Sequence, residues 1–333
     1  MKCPSRPPSY LVPGLSLIVL LALAAASLFV GRVYVSPVDL IAGLASSHST
    51  LAALVVTELR LPRAVLAILV GASLGLSGAV LQGLLRNPLA EPGLLGVSNG
   101  AAVGAVISIY FGLAHAFPLA TPLLALAGSM IAGALTFAFG RTSTLSLILA
   151  GAAVSSLMAS FLAMALNFAP SPYAAYEMST WMLGSLSERS WDHIMLAAPF
   201  IAIGMLILAM MGQAIDALAL GETQALSLGI HLNRTRILVL LGVGLAVGAA
   251  TSVTGSIGFI GLVAPHLVRP FVGHQPSRTL LPSTFLGAAV LLLADLGTRV
   301  IPTNTELKLG MLTSLLGAPF FFWLIVRMQK TAP

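Results

Sequence analysis

The chain has 333 residues, 58% of them hydrophobic and only 8% charged; with about 25% charged residues typical of a soluble domain, it could not cover a water-facing surface. The formal net charge of +6 does not point to nucleic acid, and the single cysteine, Cys3, excludes an intramolecular disulfide and a cysteine-based zinc site. What remains is an all-α, polytopic membrane protein, one domain over 1–333, because apolar runs recur at the ~20 residues that a spanning helix needs.

Ten such segments lie at roughly 11–31, 64–85, 94–112, 119–139, 146–168, 191–213, 235–253, 258–272, 281–298 and 309–326. The first follows Lys2 and Arg6 and ends near Ala24-Ala25-Ala26, so it also reads as a signal peptide; it is longer than the usual h-region of about 7–15 residues, which favours a retained helix. With the N-terminus inside, the cytoplasmic positives are Lys2, Arg6, Arg86, Arg141, Arg234, Arg236, Arg269, Arg278, Arg327 and Lys330. The outer ones are Arg32, Arg60, Arg63, Arg189, Arg299 and Lys308. Ten against six satisfies the positive-inside rule and puts both termini in the cytoplasm.

Segment 2 carries Gly71, Gly75 and Gly78, a smooth face for close helix contact. It ends at "NPLAEPGLLGVSNGA" (87–101), a run of turn and cap residues inside an apolar protein. Pro88 disfavours helix at Asn87, and Pro92 suits the first turn of the next helix. Gly93, Gly96, Gly100 and Gly104 then continue at small-residue spacing. The stretch reads either as a tight loop between spans or as a rigid, closely packed mouth suited to a gate.

Between segments 6 and 7, "DALALGETQALSLGIHL" (216–232) is too polar at Asp216, Glu222, Thr223 and Gln224 to span. Gly221 and Gly229 divide it into short pieces. On the residues alone it is an amphipathic interfacial helix or a docking segment. In segment 9, Asp295 lies four residues before Arg299 on one helical face, which predicts an ion pair; as an intramembrane acid it is also a candidate proton carrier. The six histidines show no metal-ligand spacing; His193, His266 and His274 read as loop or interfacial residues. No GxxxxGK[ST] loop is present to cradle ATP. The Arg-led, Gly-rich "RLPRAVLAILVGASLGLSGAV" and "RTRILVLLGVGLAVGAATSV" echo each other in opposite directions, as an inverted repeat would.

"RLPRAVLAILVGASLGLSGAVLQGLLRNPLAEPGLLGVSNGAAVGA" (60–105) resembles the signature of the iron-chelate and cobalamin permease family (FecCD type), the membrane subunits of type II ABC importers. "LALGETQALSLGI", "GSIGFIGLVAPHLVR", "LLLADLGTR" and "TSLLGAPFFFWLI" are similar in order and spacing, so the resemblance covers 12–327. "ELKLG" (306–310) departs from it, with Lys308 where the family usually has Pro.

The resemblance implies ten helices per subunit and an inner-membrane homodimer around a central pathway. It also implies a periplasmic substrate-binding protein and two cytoplasmic ATPase subunits that hold the ATP and Mg, with no cofactor, metal or catalytic residue on this chain. Arg60, Arg63 and Arg299 would dock acidic residues of the binding protein, guanidinium holding carboxylate bidentately, although Arg60 and Arg63 could instead snorkel at the interface. Asn87, Leu89 and Thr144 would form the cytoplasmic gate of an alternating-access pathway. Leu218, Ala219, Leu220, Gly221, Glu222, Ala225, Leu228 and Gly229 would couple to the ATPase. The family carries ferric siderophores, haem and cobalamin, and iron chelates are the commoner cargo. The rival expectations are a proton-coupled secondary transporter that depends on Asp295 and works alone, and a membrane enzyme, for which no clustered polar site is evident.

Overall fold

The computed structural model describes residues 11–31, 36, 38, 51–273, 275–301 and 307–331, the side chains of 328, 330 and 331 excepted. Lys2, Cys3, Arg6, Arg32, His274 and the Lys330 side chain, and with them the expectations placed there, lie outside the described residues.

Each of the ten apolar segments meets a helix. The elements are α1 (Leu11–Phe29), α2 (Leu61–Leu84), α3 (Val97–Tyr110), α4 (Ala120–Gly140), α5 (Thr144–Asn167), α6 (Pro172–Met182) and α7 (Trp191–Ala209). There follow α8 (Gly212–Ala219), α9 (Glu222–Ser227), α10 (Leu232–Thr254), α11 (Ile260–Val272), α12 (Pro276–Val300) and α13 (Leu309–Thr331). Among the described residues, 8 helices are long and apolar enough to cross a membrane. The two shorter apolar helices are α3 and α11. The sequence marks 258–272 as short; it takes 94–112 as a whole span, and there the structure differs. Pro92–Leu95 forms a 3-10 turn, and Gly96 turns left-handed at φ 75 before α3 begins. The resulting helix has 14 residues. At about 1.5 Å per residue it falls well short of a ~30 Å hydrocarbon layer. The segment 51–60 was not anticipated: Leu51–Leu54 and a π-helical Val55–Arg60 lead directly into α2.

Three helices make the centre. Of the most apolar window, 83% is buried in the span ending at α2, 78% in α10 and 61% in α12, against 17% in α1. The two helices with echoing sequences, α2 and α10, are thus the two most enclosed. Glycine explains how α2 gets so close to its neighbours. A β-carbon at Gly75 would overlap the carbonyl oxygen of Ser283 in α12, and one at Gly78 that of Gly261 in α11. The α3–α4 crossing is built the same way, Gly104 lying against the Leu124 carbonyl and Gly100 against Gly128. In a membrane, where lipid is as apolar as leucine, this backbone approach and its van der Waals contact are what hold helices together.

Candidate functional site

The two polar sites occupy opposite ends of α12. Its 25 residues separate them by roughly 37 Å.

At the C-terminal end of α12, Asp295 is fully buried. Arg299 meets its Oδ2 as the expected i,i+4 pair. Arg63, from the start of α2, donates Nε to Oδ1 at 2.9 Å, with Nη2 at 2.8 Å from the same oxygen. Arg63 Nη2 also reaches Thr298 Oγ1 at 3.2 Å. Arg299 Nη1 donates to the Ser27 carbonyl at 2.9 Å, and Arg60 Nη1 to the Leu28 carbonyl at 2.8 Å. One buried carboxylate therefore gathers two guanidinium groups, and three arginines stitch the end of α1 to α2 and α12. Arg60 is itself buried. The pairing of Arg63 with Asp295 spans 232 residues, which a helical-spacing argument does not see. Two arginines share one acid, with Arg60 close by and the acids Glu58 and Glu188 alongside.

A depression of about 500 Å³ lies over the cluster, lined by Arg60, Arg63 and Arg299 together with Glu58, Glu188 and Arg189. Burial pushes the Arg189 guanidinium down from its ordinary range, with neighbouring Glu188 acting the other way. Beside it, sharing Glu188 and Arg189, a cavity of about 600 Å³ is lined by Glu177, Asp192, His193 and Lys308. Lys308 immediately precedes the first residue of α13. Among the described residues, those expected outside, Arg60, Arg63, Arg189, Arg299 and Lys308, line these two adjoining hollows.

At the N-terminal end of α12, the segment 216–232 forms the two short helices α8 and α9, broken where expected. Gly221 has φ 116 and Gly229 φ 83, both on the glycine side of the map. Asp216 anchors α8 to α12: its Oδ1 accepts the Ser277 backbone N–H at 2.8 Å and its Oδ2 the Ser277 hydroxyl at 2.6 Å. Of the residues expected to couple to an ATPase, Leu218 and Ala225 are buried and hold the helices to the bundle. Ala219, Leu220, Leu228 and Gly229 are exposed; Gly221 and Glu222 are half-buried. Leu226, not foreseen, is 56% exposed beside Leu220 and Leu228 at 65% and 62%. These three leucines are exposed apolar side chains on a polar segment.

Glu222 Oε1 accepts from the Thr144 hydroxyl and, at 3.3 Å, from the Thr144 backbone N–H. It also accepts from Arg236 Nη2 at 3.0 Å. Burial alone would raise this carboxyl; the Thr144 hydrogen bond and the Arg236 charge outweigh it, and the net shift is downward.

The turn 86–91 is ordered by its own side chains. Asn87 Oδ1 accepts the Leu89 N–H at 2.9 Å, closing an Asx turn. Arg86 is left-handed at φ 49. Glu91 Oε2 accepts the Phe259 N–H at 3.2 Å, tying the turn to the start of α11. Asn87 and Leu89 are half-buried here. Thr144, the third residue expected there, is bonded to Glu222. His266 lies inside α11, not in a loop, its ring edge-on to Phe320 at 5.7 Å. Among the described residues no three His, Cys, Asp or Glu side chains gather as a metal site.

Comparison with known proteins agrees with this architecture. The chain is 40% identical over 319 residues to the vitamin B12 import system permease protein BtuC of Salmonella paratyphi A, covering 95% of this chain and 94% of that one. It is 36% identical over 315 residues to the protein of the same name from Vibrio vulnificus (strain CMCP6), covering 93% and 92%. A solved metal-chelate type ABC transporter in an inward-facing conformation superposes with a TM-score of 0.85 at 30% identity, over 95% of this chain and 99% of that one. The model of the FecCD transport family matches residues 18–327, and the chain belongs to that family of multi-pass ABC transporter permeases.

Proposed function

We propose that two copies of this chain form the inner-membrane pathway of an ATP-driven importer, fed by a periplasmic binding protein and driven by two cytoplasmic ATPase subunits that supply ATP and Mg. The observation that carries this reading is the exposure of Leu220, Leu226 and Leu228 on short helices at the opposite end of α12 from the arginine cluster. Exposed leucines on so polar a segment suit a protein partner, and the chain has no phosphate-binding loop of its own. The opposite end, with Arg60, Arg63 and Arg299, suits an acidic partner. Both termini then lie in the cytoplasm and the turn 87–91 stands at the cytoplasmic mouth. This chain binds no cofactor in that scheme.

The relatives named as vitamin B12 import permeases move the cargo from the iron chelates favoured on the sequence to cobalamin. The rival, a proton-coupled transporter, rests on Asp295, and both oxygens of that carboxylate are engaged by arginines. Uptake of radiolabelled cobalamin into proteoliposomes should require the ATPase, the binding protein and ATP together. Cobalamin uptake driven by a proton gradient without the ATPase would refute the importer reading; uptake of a ferric siderophore alone would refute the cargo.

A further inference from the structure

The two short helices are tethered to the bundle by two acids that lead to different places. Asp216 binds the N-terminus of α12. Glu222, the first residue of α9, collects both donors of Thr144, which is the first residue of α5. The Thr144 N–H is one of the unpaired amides at a helix start, where an anion is also favoured by the helix dipole. The same Glu222 oxygen takes Arg236 from the first turns of α10, and Arg236 Nη1 donates at 2.8 Å to the Arg141 carbonyl just past α4. The Arg236 side chain is buried, with 5% exposure, and that of Glu222 has 27%. Ala225 is the one buried residue of α9, so little else fastens this helix.

We propose that Glu222 is a positioning residue that carries displacement of the 216–232 segment to the starts of α5 and α10 through its bonds to Thr144 and Arg236. This rests on the reading of that segment as the ATPase contact. A push on α8 reaches α12 through Asp216; a push on α9 reaches α5 and α10 through Glu222. Rigid helices transmit such motion along their length only if their ends are held, and three charge-assisted bonds on one oxygen hold these ends.

The test uses the whole complex in proteoliposomes, with cobalamin moved per ATP hydrolysed as the readout. Glu222→Ala and Thr144→Val should each lower that ratio by about tenfold, the weight of a hydrogen bond to a charged group. Thr144→Ser, which keeps the hydroxyl, should restore it. The double variant Glu222→Ala with Thr144→Val should be no worse than Glu222→Ala, because members of one bond are not additive. An unchanged ratio in Thr144→Val, or losses that multiply in the double variant, would overturn the proposal. The underlying docking reading is tested separately: Leu226→Asp and Leu228→Asp should strip the ATPase from the purified complex. If both leave it bound, the docking surface is wrong whatever Glu222 does.

Discussion

Asp295→Asn is the sharpest perturbation the structure offers. The wild-type carboxylate is fully buried and receives Arg63 on one oxygen and Arg299 on the other. Asparagine keeps the shape, yet it removes the charge and presents an NH₂ to one guanidinium. Two arginines whose side chains are only 15% and 7% exposed then lose the buried charge that they share. Removing one partner from a buried ion pair typically costs about 3–5 kcal/mol. Replacing the whole cluster by apolar side chains is often neutral or stabilising by about 1–4 kcal/mol. Hence Asp295→Asn should be strongly destabilised in mixed-micelle unfolding. The triple variant Asp295→Leu, Arg63→Met and Arg299→Met should recover most of that loss. Stability and docking then separate, because the recovered triple variant should bind the periplasmic protein more weakly than wild type. Asp295→Asn within ~1 kcal/mol of wild type would refute the claim that this carboxylate organises the arginines. A stable triple variant with undiminished binding-protein affinity at low salt would refute their part in docking.

Gly78→Ala should cost about 1–3 kcal/mol as an overpacked core does, since its β-carbon meets the Gly261 backbone; an unchanged midpoint in the same unfolding assay counts against the close α2–α11 contact. Leu89→Ala should let loaded cobalamin leak from sealed proteoliposomes without ATP. In a Cys3→Ala background, Leu89→Cys should cross-link between copies with a nucleotide-dependent yield; lower thermal stability without leak or cross-link makes the turn a mere connector. Glu222 is a carboxyl whose folded value is lowered, so its contribution is complete above its ordinary 4.5 and disappears as pH falls through the lower folded value. The stability difference between wild type and Glu222→Gln should therefore be flat from neutral pH to about 5 and shrink only below the ordinary carboxylate range; a difference that vanishes near pH 6 contradicts the Thr144–Arg236 clasp.

Segment positions were readable because lipid demands long apolar runs and internally satisfied backbones, and both leave direct marks on composition. The breaks at Gly221 and Gly229, and the smooth face of Gly71, Gly75 and Gly78, were readable for a similar reason: few other residues fit those places. Local pairing was readable too, as with Asp295 and Arg299 four residues apart. Long-range pairing was not. Arg63 to Asp295, Thr144 to Glu222 and Glu91 to Phe259 join residues whose proximity exists only after helices have packed. The helix α6, Pro172–Met182, escaped notice because it is short and carries Glu177 among tyrosines and serines, without a spanning signature. The truncation of α3 escaped because the residues 94–96 before it are apolar or small, while the left-handed turn at Gly96 is a matter of dihedral angle and not of hydropathy.

That shortness of α3 has a mechanical consequence. A long helix in a bilayer can open a passage only by tilting or sliding as a rod, dragging its whole packed surface past its neighbours. Where α3 begins late, the chain before it, 86–96, is held by separate bonds: Asn87 to Leu89, Glu91 to Phe259, the Ser155 hydroxyl to the Gly93 carbonyl and the Thr136 hydroxyl to the Leu95 carbonyl. Any change of course there would have to break those bonds, while α2 and α12 stay locked at their glycines. Irregular backbone at that depth is tolerated only under cover of protein or beside water. Ala90, Pro92 and Leu95 are buried, so a movement of this piece would run inside the bundle and leave the lipid-facing surface in place.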